Sequence, residues 1–159
     1  MKLLIKSRKA LEKMSKNIFP DGTALISITD ANDVPVVLEN EPEYLLRIAF
    51  NDIDNDVFAD ELLDNPTDEE RIEIERKYDM ISQEQANEIA SFYMDHKDHI
   101  STLICQCEHG QSRSAAVASA VLEYRSKRGI KIFADDRYYP NKVVFRKVLV
   151  ALQNKAPRE

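Results

Sequence analysis

The chain has 159 residues, 43% hydrophobic and 31% charged, the balance of a globular domain large enough to bury a core. Its 22 Lys and Arg stand against 28 Asp and Glu, and a net charge of −6 argues against nucleic acid or an anionic membrane as partner, since both need clustered basic residues. No apolar run approaches the roughly 18 residues of a membrane span, and MKLLIKSRKALEK at the start turns charged too soon for a signal peptide.

Lys2 to Lys6 read as a short strand, and RKALEKMSK after it has helical spacing at Ala10, Leu11 and Met14. Pro20-Asp21-Gly22 is a turn signal. The β-branched, apolar run from Thr23 to Thr29 predicts a buried strand, and Tyr44 to Phe50 predicts another after a polar loop with Pro35 and Pro42. From Asn51 to Tyr78 the chain is acidic and polar. Thr67 with Glu70, and Ser82 with Gln85, have the spacing of capping boxes. The second opens a helix with Ala86, Ile89, Ala90 and Tyr93 on one face.

Ser101 to Gln106 is a fourth apolar strand. It leads through a loop into an alanine-rich helix that Lys127-Arg128-Gly129 should stop. Ile130 to Phe133 reaches toward a last helix, from about Pro140 to Gln153, with the proline in its first turn. Four apolar strands separated by helical stretches predict a three-layer α/β fold, a central four-stranded, mainly parallel sheet flanked by helices on both faces. Ligands of such sheets sit at the carboxyl ends of the strands. Asp52 and Cys107 both follow a strand end, so they are expected on one rim.

The loop between the fourth strand and the alanine-rich helix carries the chemistry. Strand, small-residue loop and helix together aim backbone N–H groups and a positive helix end at one spot, which makes an anion site. The thiol of Cys107 lies at its lip and the guanidinium of Arg113 at its far side. Both the helix end and the arginine favour a thiolate. A disulfide between Cys105 and Cys107, one residue apart, would be badly strained. With no other cysteine a reducing, cytoplasmic setting is the expectation. Cys105 reads as a core residue. His109 does not complete a zinc spacing with the two thiols, and no metal or cofactor is expected.

Cys107-Glu108-His109-Gly110-Gln111-Ser112-Arg113-Ser114 resembles the Cys-x5-Arg-Ser/Thr loop of cysteine-based phosphatases, in particular the compact dual-specificity branch. Rhodanese-like and arsenate-reductase-like proteins share Cys-x5-Arg, but Gly110, Ser114 and the small-residue helix sharpen the likeness. Leu46 to Asp52 resembles the strand-then-Asp segment that supplies the family's general acid. Tyr139-Pro140-Asn141 with Phe145 and Leu149 looks like its Pro-Asn helix. The matches run from about residue 23 to 150, and residues 1–159 are expected to form a single domain of this kind. The absence of tryptophan removes the Trp-Pro-Asp loop of the large tyrosine-specific phosphatases. Low-molecular-weight phosphatases and arsenate reductases carry their loop near the N-terminus. The residue ahead of the cysteine is Gln106 where the family usually has His, and the segment about Val57 to Asp79 is longer than usual.

The resemblance implies hydrolysis of phosphomonoesters through a cysteinyl-phosphate. Cys107 is the nucleophile and Asp52 the acid and then the base, with Asp54 second in line. The amides of Glu108, His109, Gly110, Gln111, Ser112 and Arg113, with the Arg113 fork, hold the phosphoryl oxygens. Ser114 hydrogen-bonds the departing sulfur, Asn141 braces the loop, and phosphate, sulfate or vanadate would fill it. His109 is expected to line the loop, His96 and His99 to sit at the surface, and Tyr138 and Tyr139 to pack.

Competing readings of the acidic run fail on spacing. An EF-hand starting at Asp52 would need Gly at 57 and Glu at 63, where the chain has Val57 and Leu63. A haloacid-dehalogenase Asp-x-Asp lacks its Thr or Val. The default for Asp52, Asp54 and Asp56 is a solvated acidic loop. Two functional alternatives stay open: a phosphate- or phosphoprotein-binding module without turnover, and a rhodanese-like sulfurtransferase. Phosphotyrosine, or phosphorylated protein residues more broadly, is the leading substrate, with small phosphomonoesters as further candidates. The variable loop positions Glu108, His109, Gln111 and Ser112 carry no Lys or Arg, which disfavours polyanions such as multiply phosphorylated lipids and RNA ends.

Overall fold

A computed structural model describes residues 1–54 and 66–155. Its order is β1 (Lys2–Lys6), α1 (Arg8–Met14), β2 (Thr23–Thr29), β3 (Tyr44–Ala49), α2 (Asp68–Lys77), α3 (Gln83–His96), β4 (Thr102–Gln106), α4 (Arg113–Ser126), α5 (Ile130–Phe133) and α6 (Lys142–Lys155). The four strands form one parallel sheet in the order β1-β4-β2-β3. The expected three-layer α/β architecture is therefore the one observed. Asp56 and residues 57–65 of the long acidic segment lie outside the described residues.

Alternation along each strand splits the core into two layers. Leu3, Ile5, Ala24, Ile26, Ile28, Leu46, Ile48, Leu103 and Cys105 face α3, α4 and α6. Leu4, Leu25, Leu45 and Ile104 face the other way, where Leu11 of α1, Phe19 and Val36 cover them. Helix α4 is buried without a break from Arg113 to Val121. Such a helix cannot be amphipathic, and its run of Ala and Ser lets the sheet and α6 approach closely. On α3 the buried residues are Ala86, Ile89, Ala90 and Tyr93, the face that periodicity predicts.

The ends of the helices follow their caps. Ser82 and Gln85 form a reciprocal capping box, and the Thr67 hydroxyl accepts from the Glu70 amide. One terminal expectation needs correction. Pro140 precedes α6 rather than entering its first turn, because Asn141 caps the helix by accepting from the Val144 amide at 3.0 Å. Helix α4 stops at the expected Lys127-Arg128-Gly129 stretch, with Lys127 itself in the left-handed conformation (φ 57°). Gly129 lies close under α4, where its carbonyl accepts from the Ser119 hydroxyl. No helix among the described residues is long and apolar enough to cross a membrane.

Candidate functional site

Strand β4 ends at Gln106 and α4 starts at Arg113, so Cys107 to Ser112 form a tight loop at the carboxyl edge of the sheet. Gly110 makes the loop possible. Its φ is +66°, and a Cβ there would lie 2.6 Å from the Ser7 nitrogen and 2.7 Å from the Lys6 carbonyl carbon. The loop is pinned to the end of β1 by two further bonds. The Cys107 amide donates to the Lys6 carbonyl at 3.3 Å, and the Arg8 amide donates to the Glu108 carbonyl at 3.1 Å.

Cys107 is 2% exposed, and its Sγ lies 3.0 Å from the Ser114 hydroxyl oxygen in the first turn of α4. Ser112, at the N-cap position, makes no capping bond. Its hydroxyl donates instead to Asp52 Oδ1 at 2.8 Å. The first amides of α4 thus lack both an intrahelical acceptor and a side-chain cap. Gln106 is buried behind the thiol. Its amide oxygen accepts from the Ser27 hydroxyl and its nitrogen donates to the Cys107 carbonyl at 2.9 Å, which fixes the peptide that carries the sulfur. Cys105 is fully buried. Burial, with the adjacent Cys107, pushes its thiol well above the ordinary range and keeps it a neutral core group.

Arg113 is 4% exposed and its guanidinium is only partly satisfied. Nη1 donates to the Phe50 carbonyl at 2.7 Å and pairs with Asp30 Oδ1 at 2.6 Å. Nε is buried and meets no hydrogen-bond partner among the described residues. An N–H of a buried cation left without an acceptor costs more than the roughly 1–3 kcal/mol of a neutral group, so this position is built for an acceptor.

The loop after β3 crosses the same rim. Asn51 ties it down, donating its side-chain amide to the Tyr78 carbonyl and accepting from the Ala31 amide. Asp52 Oδ1 then receives Ser112 from the loop and the Asn141 side-chain amide, at 2.9 Å, from the cap of α6. Asn141 also donates to the Ile53 carbonyl at 3.1 Å. Asp54 points elsewhere, its Oδ2 lying 3.4 Å from the Lys142 amide.

No protein-family model matches the sequence, and no curated protein does either. A solved structure described as the crystal structure of Tk-PTP in the active form is similar, with a TM-score of 0.53 and 14% sequence identity. The match covers 98% of this chain and 94% of that one. At that identity the likeness is one of fold, a phosphotyrosine-phosphatase-like arrangement over nearly the whole chain.

The structure brings Cys107, Arg113, Ser114, Ser112, Asp52 and Asn141 to one rim, with Gln106 and Gly110 shaping the loop beneath them. His109 and Gln111 are exposed on it. Glu108 is the exception. Its carboxylate turns aside to pair with Arg8 at 2.8 Å. Tyr139 is 71% exposed rather than packed. His96 is sandwiched against aromatic rings, stacked on Tyr44 at 4.4 Å with Phe92 edge-on at 5.1 Å.

Sequence reasoning missed Asp30, Arg8 and Ser27. Asp30 directly follows a buried strand, the same signal that singles out Asp52. Arg8 comes two residues after the end of β1. Ser27 is a polar residue inside an apolar strand, and a buried hydroxyl needs a partner.

Proposed function

We propose that the chain is a cysteine-dependent phosphatase that hydrolyses phosphomonoesters, with phosphotyrosine or other phosphorylated protein residues as substrates. One observation carries the reading: a buried thiol beside Ser114 at an uncapped helix start, next to a buried guanidinium whose Nε meets no acceptor among the described residues. A dianionic phosphoryl group supplies oxygens for that Nε–H and for the loop amides of residues 108–113.

In the first step the Cys107 thiolate attacks phosphorus in line and the ester oxygen leaves, taking a proton from Asp52. The two donors on Asp52 both meet Oδ1, so the proton rides on Oδ2. In the second step Asp52, now a carboxylate, takes a proton from water as it attacks phosphorus. The sulfur leaves as thiolate, steadied by the Ser114 hydroxyl. Asp52 is preferred to Asp54 because its side chain is bonded to the loop itself, whereas that of Asp54 faces the start of α6. Neither step calls on a metal or cofactor.

Cys107→Ser tests this directly. Turnover of a small aryl phosphate should fall to background while tungstate or inorganic phosphate still binds; full activity in that variant would end the proposal. A binding module without turnover is the second reading, favoured by the uncharged Gln106 ahead of the thiol. Wild-type protein that binds phosphate yet releases none from the aryl ester would establish it instead.

A further inference from the structure

A groove of about 430 Å³ opens beside β1. It is lined by four consecutive residues of that strand, Leu3 to Lys6, so it follows the strand's edge rather than one face of the sheet. Among the described residues β1 stands at the end of the strand order, with β4 on one side only. An edge strand presents backbone N–H and C=O groups to whatever extended chain lies alongside. The opposite wall holds apolar Leu122 and Ile132, then Lys131, Arg137 and Tyr138.

Charge and position say what fits. Lys6, Lys131 and Arg137 line the groove against one carboxylate, Asp135, already paired with Arg137 at 2.7 Å. In a chain of net charge −6 this is a locally basic strip. Both walls end on the Cys107 loop. On one side the Lys6 carbonyl accepts from the Cys107 amide, and the backbone there packs under Gly110. On the other, Tyr139, next to Tyr138, donates its amide to the Gln111 carbonyl at 2.8 Å. A second copy of the chain is a poor occupant. Antiparallel pairing of β1 with itself about Leu4 sets Lys2 opposite Lys6, like charge on like.

We infer that the groove seats an acidic, extended stretch of the phosphorylated protein whose phosphate enters the Cys107 loop, pairing with β1 as an added strand. This rests on the phosphatase reading above. Leu3 to Lys6 span about 13 Å of extended chain, so the acidic residues lie a few positions from the phosphorylated one.

The experiment compares wild type with Lys131→Glu/Arg137→Glu, both surface changes. The substrates are a small aryl phosphate and phosphotyrosine peptides with acidic or neutral flanks. Wild type should prefer the acidic peptide. The double variant should lose about tenfold in kcat/KM on it, as expected of two reversed surface charges, with aryl phosphate turnover unchanged. Separately, the acidic peptide without phosphate should shift the backbone amide NMR signals of Leu3 to Lys6 in wild type and far less in the variant. Equal kcat/KM for acidic and neutral peptides, unmoved β1 signals, or a concentration-dependent dimer burying β1 would each overturn the inference. Failure of the phosphatase reading shows elsewhere, as absent aryl phosphate turnover, and the amide shifts still report on the groove.

Discussion

Asp30→Ala isolates what the ion pair at the end of β2 does. Arg113 Nη1 lies 2.6 Å from Asp30 Oδ1 and keeps the Phe50 carbonyl when the carboxylate is gone. A hydrogen bond to a charged group is worth about 1.5–3 kcal/mol. Asp30 is 46% exposed, and solvent screening cuts that to about 1–1.5 kcal/mol. For a chain of this length the melting temperature should fall by about 2–6 °C. If the pair also aims the guanidinium, with Nη1 tethered and Nε turned to the phosphoryl group, the same loss reappears in the transition state as about a tenfold drop in kcat/KM. Inorganic phosphate should bind more weakly as well. Thermal melts with and without tungstate, aryl phosphate kinetics and phosphate titration measure all three. Tighter phosphate binding with undiminished turnover would refute the reasoning, because Asp30 would then be a rival to the anion rather than a tether for the arginine.

Three further outcomes are expected. Asp52→Asn should lower kcat by about 10²–10⁴ and abolish the alkaline limb of the pH–rate profile, while Asp54→Asn keeps both; the reverse pattern would move the acid to Asp54. Gly110→Ala forces a non-glycine residue to φ +66° and drives a methyl group onto the Lys6–Ser7 backbone. It should cost more than about 2 kcal/mol in denaturant unfolding and abolish tungstate binding, and wild-type behaviour in either assay would contradict the loop geometry. Lys127→Gly relieves the left-handed C-cap of α4. It should add about 0.5–1 kcal/mol of stability, read as a rise in denaturation midpoint with no change in turnover.

Much of this molecule can be read from short patterns. Apolar runs mark the strands, the Ser82–Gln85 spacing marks the start of α3, and Cys107, Gly110 and Arg113 mark the tight loop between β4 and α4. Each is a local signal, set by backbone geometry within a few residues. Pairings between distant segments are not local, and there the sequence is silent. Asp30 reaches Arg113 because β2 lies beside β4 in the order β1-β4-β2-β3. Glu108 counts as an exposed charge until β1 and α1 bring Arg8 beside it. Lys127 takes the left-handed conformation that closes α4, while Gly129, two residues on, accepts from the Ser119 hydroxyl.

On the phosphatase reading proposed above, the bonds from Ser112 and Asn141 to Asp52 have a kinetic consequence. A carboxyl group latched at once to the Cys107 loop and to the cap of α6 is docked before any ester arrives. With Asp52 as the acid, no closing motion need precede the chemistry, and turnover should track bond making and breaking at phosphorus, sensitive to the leaving group and indifferent to solvent viscosity.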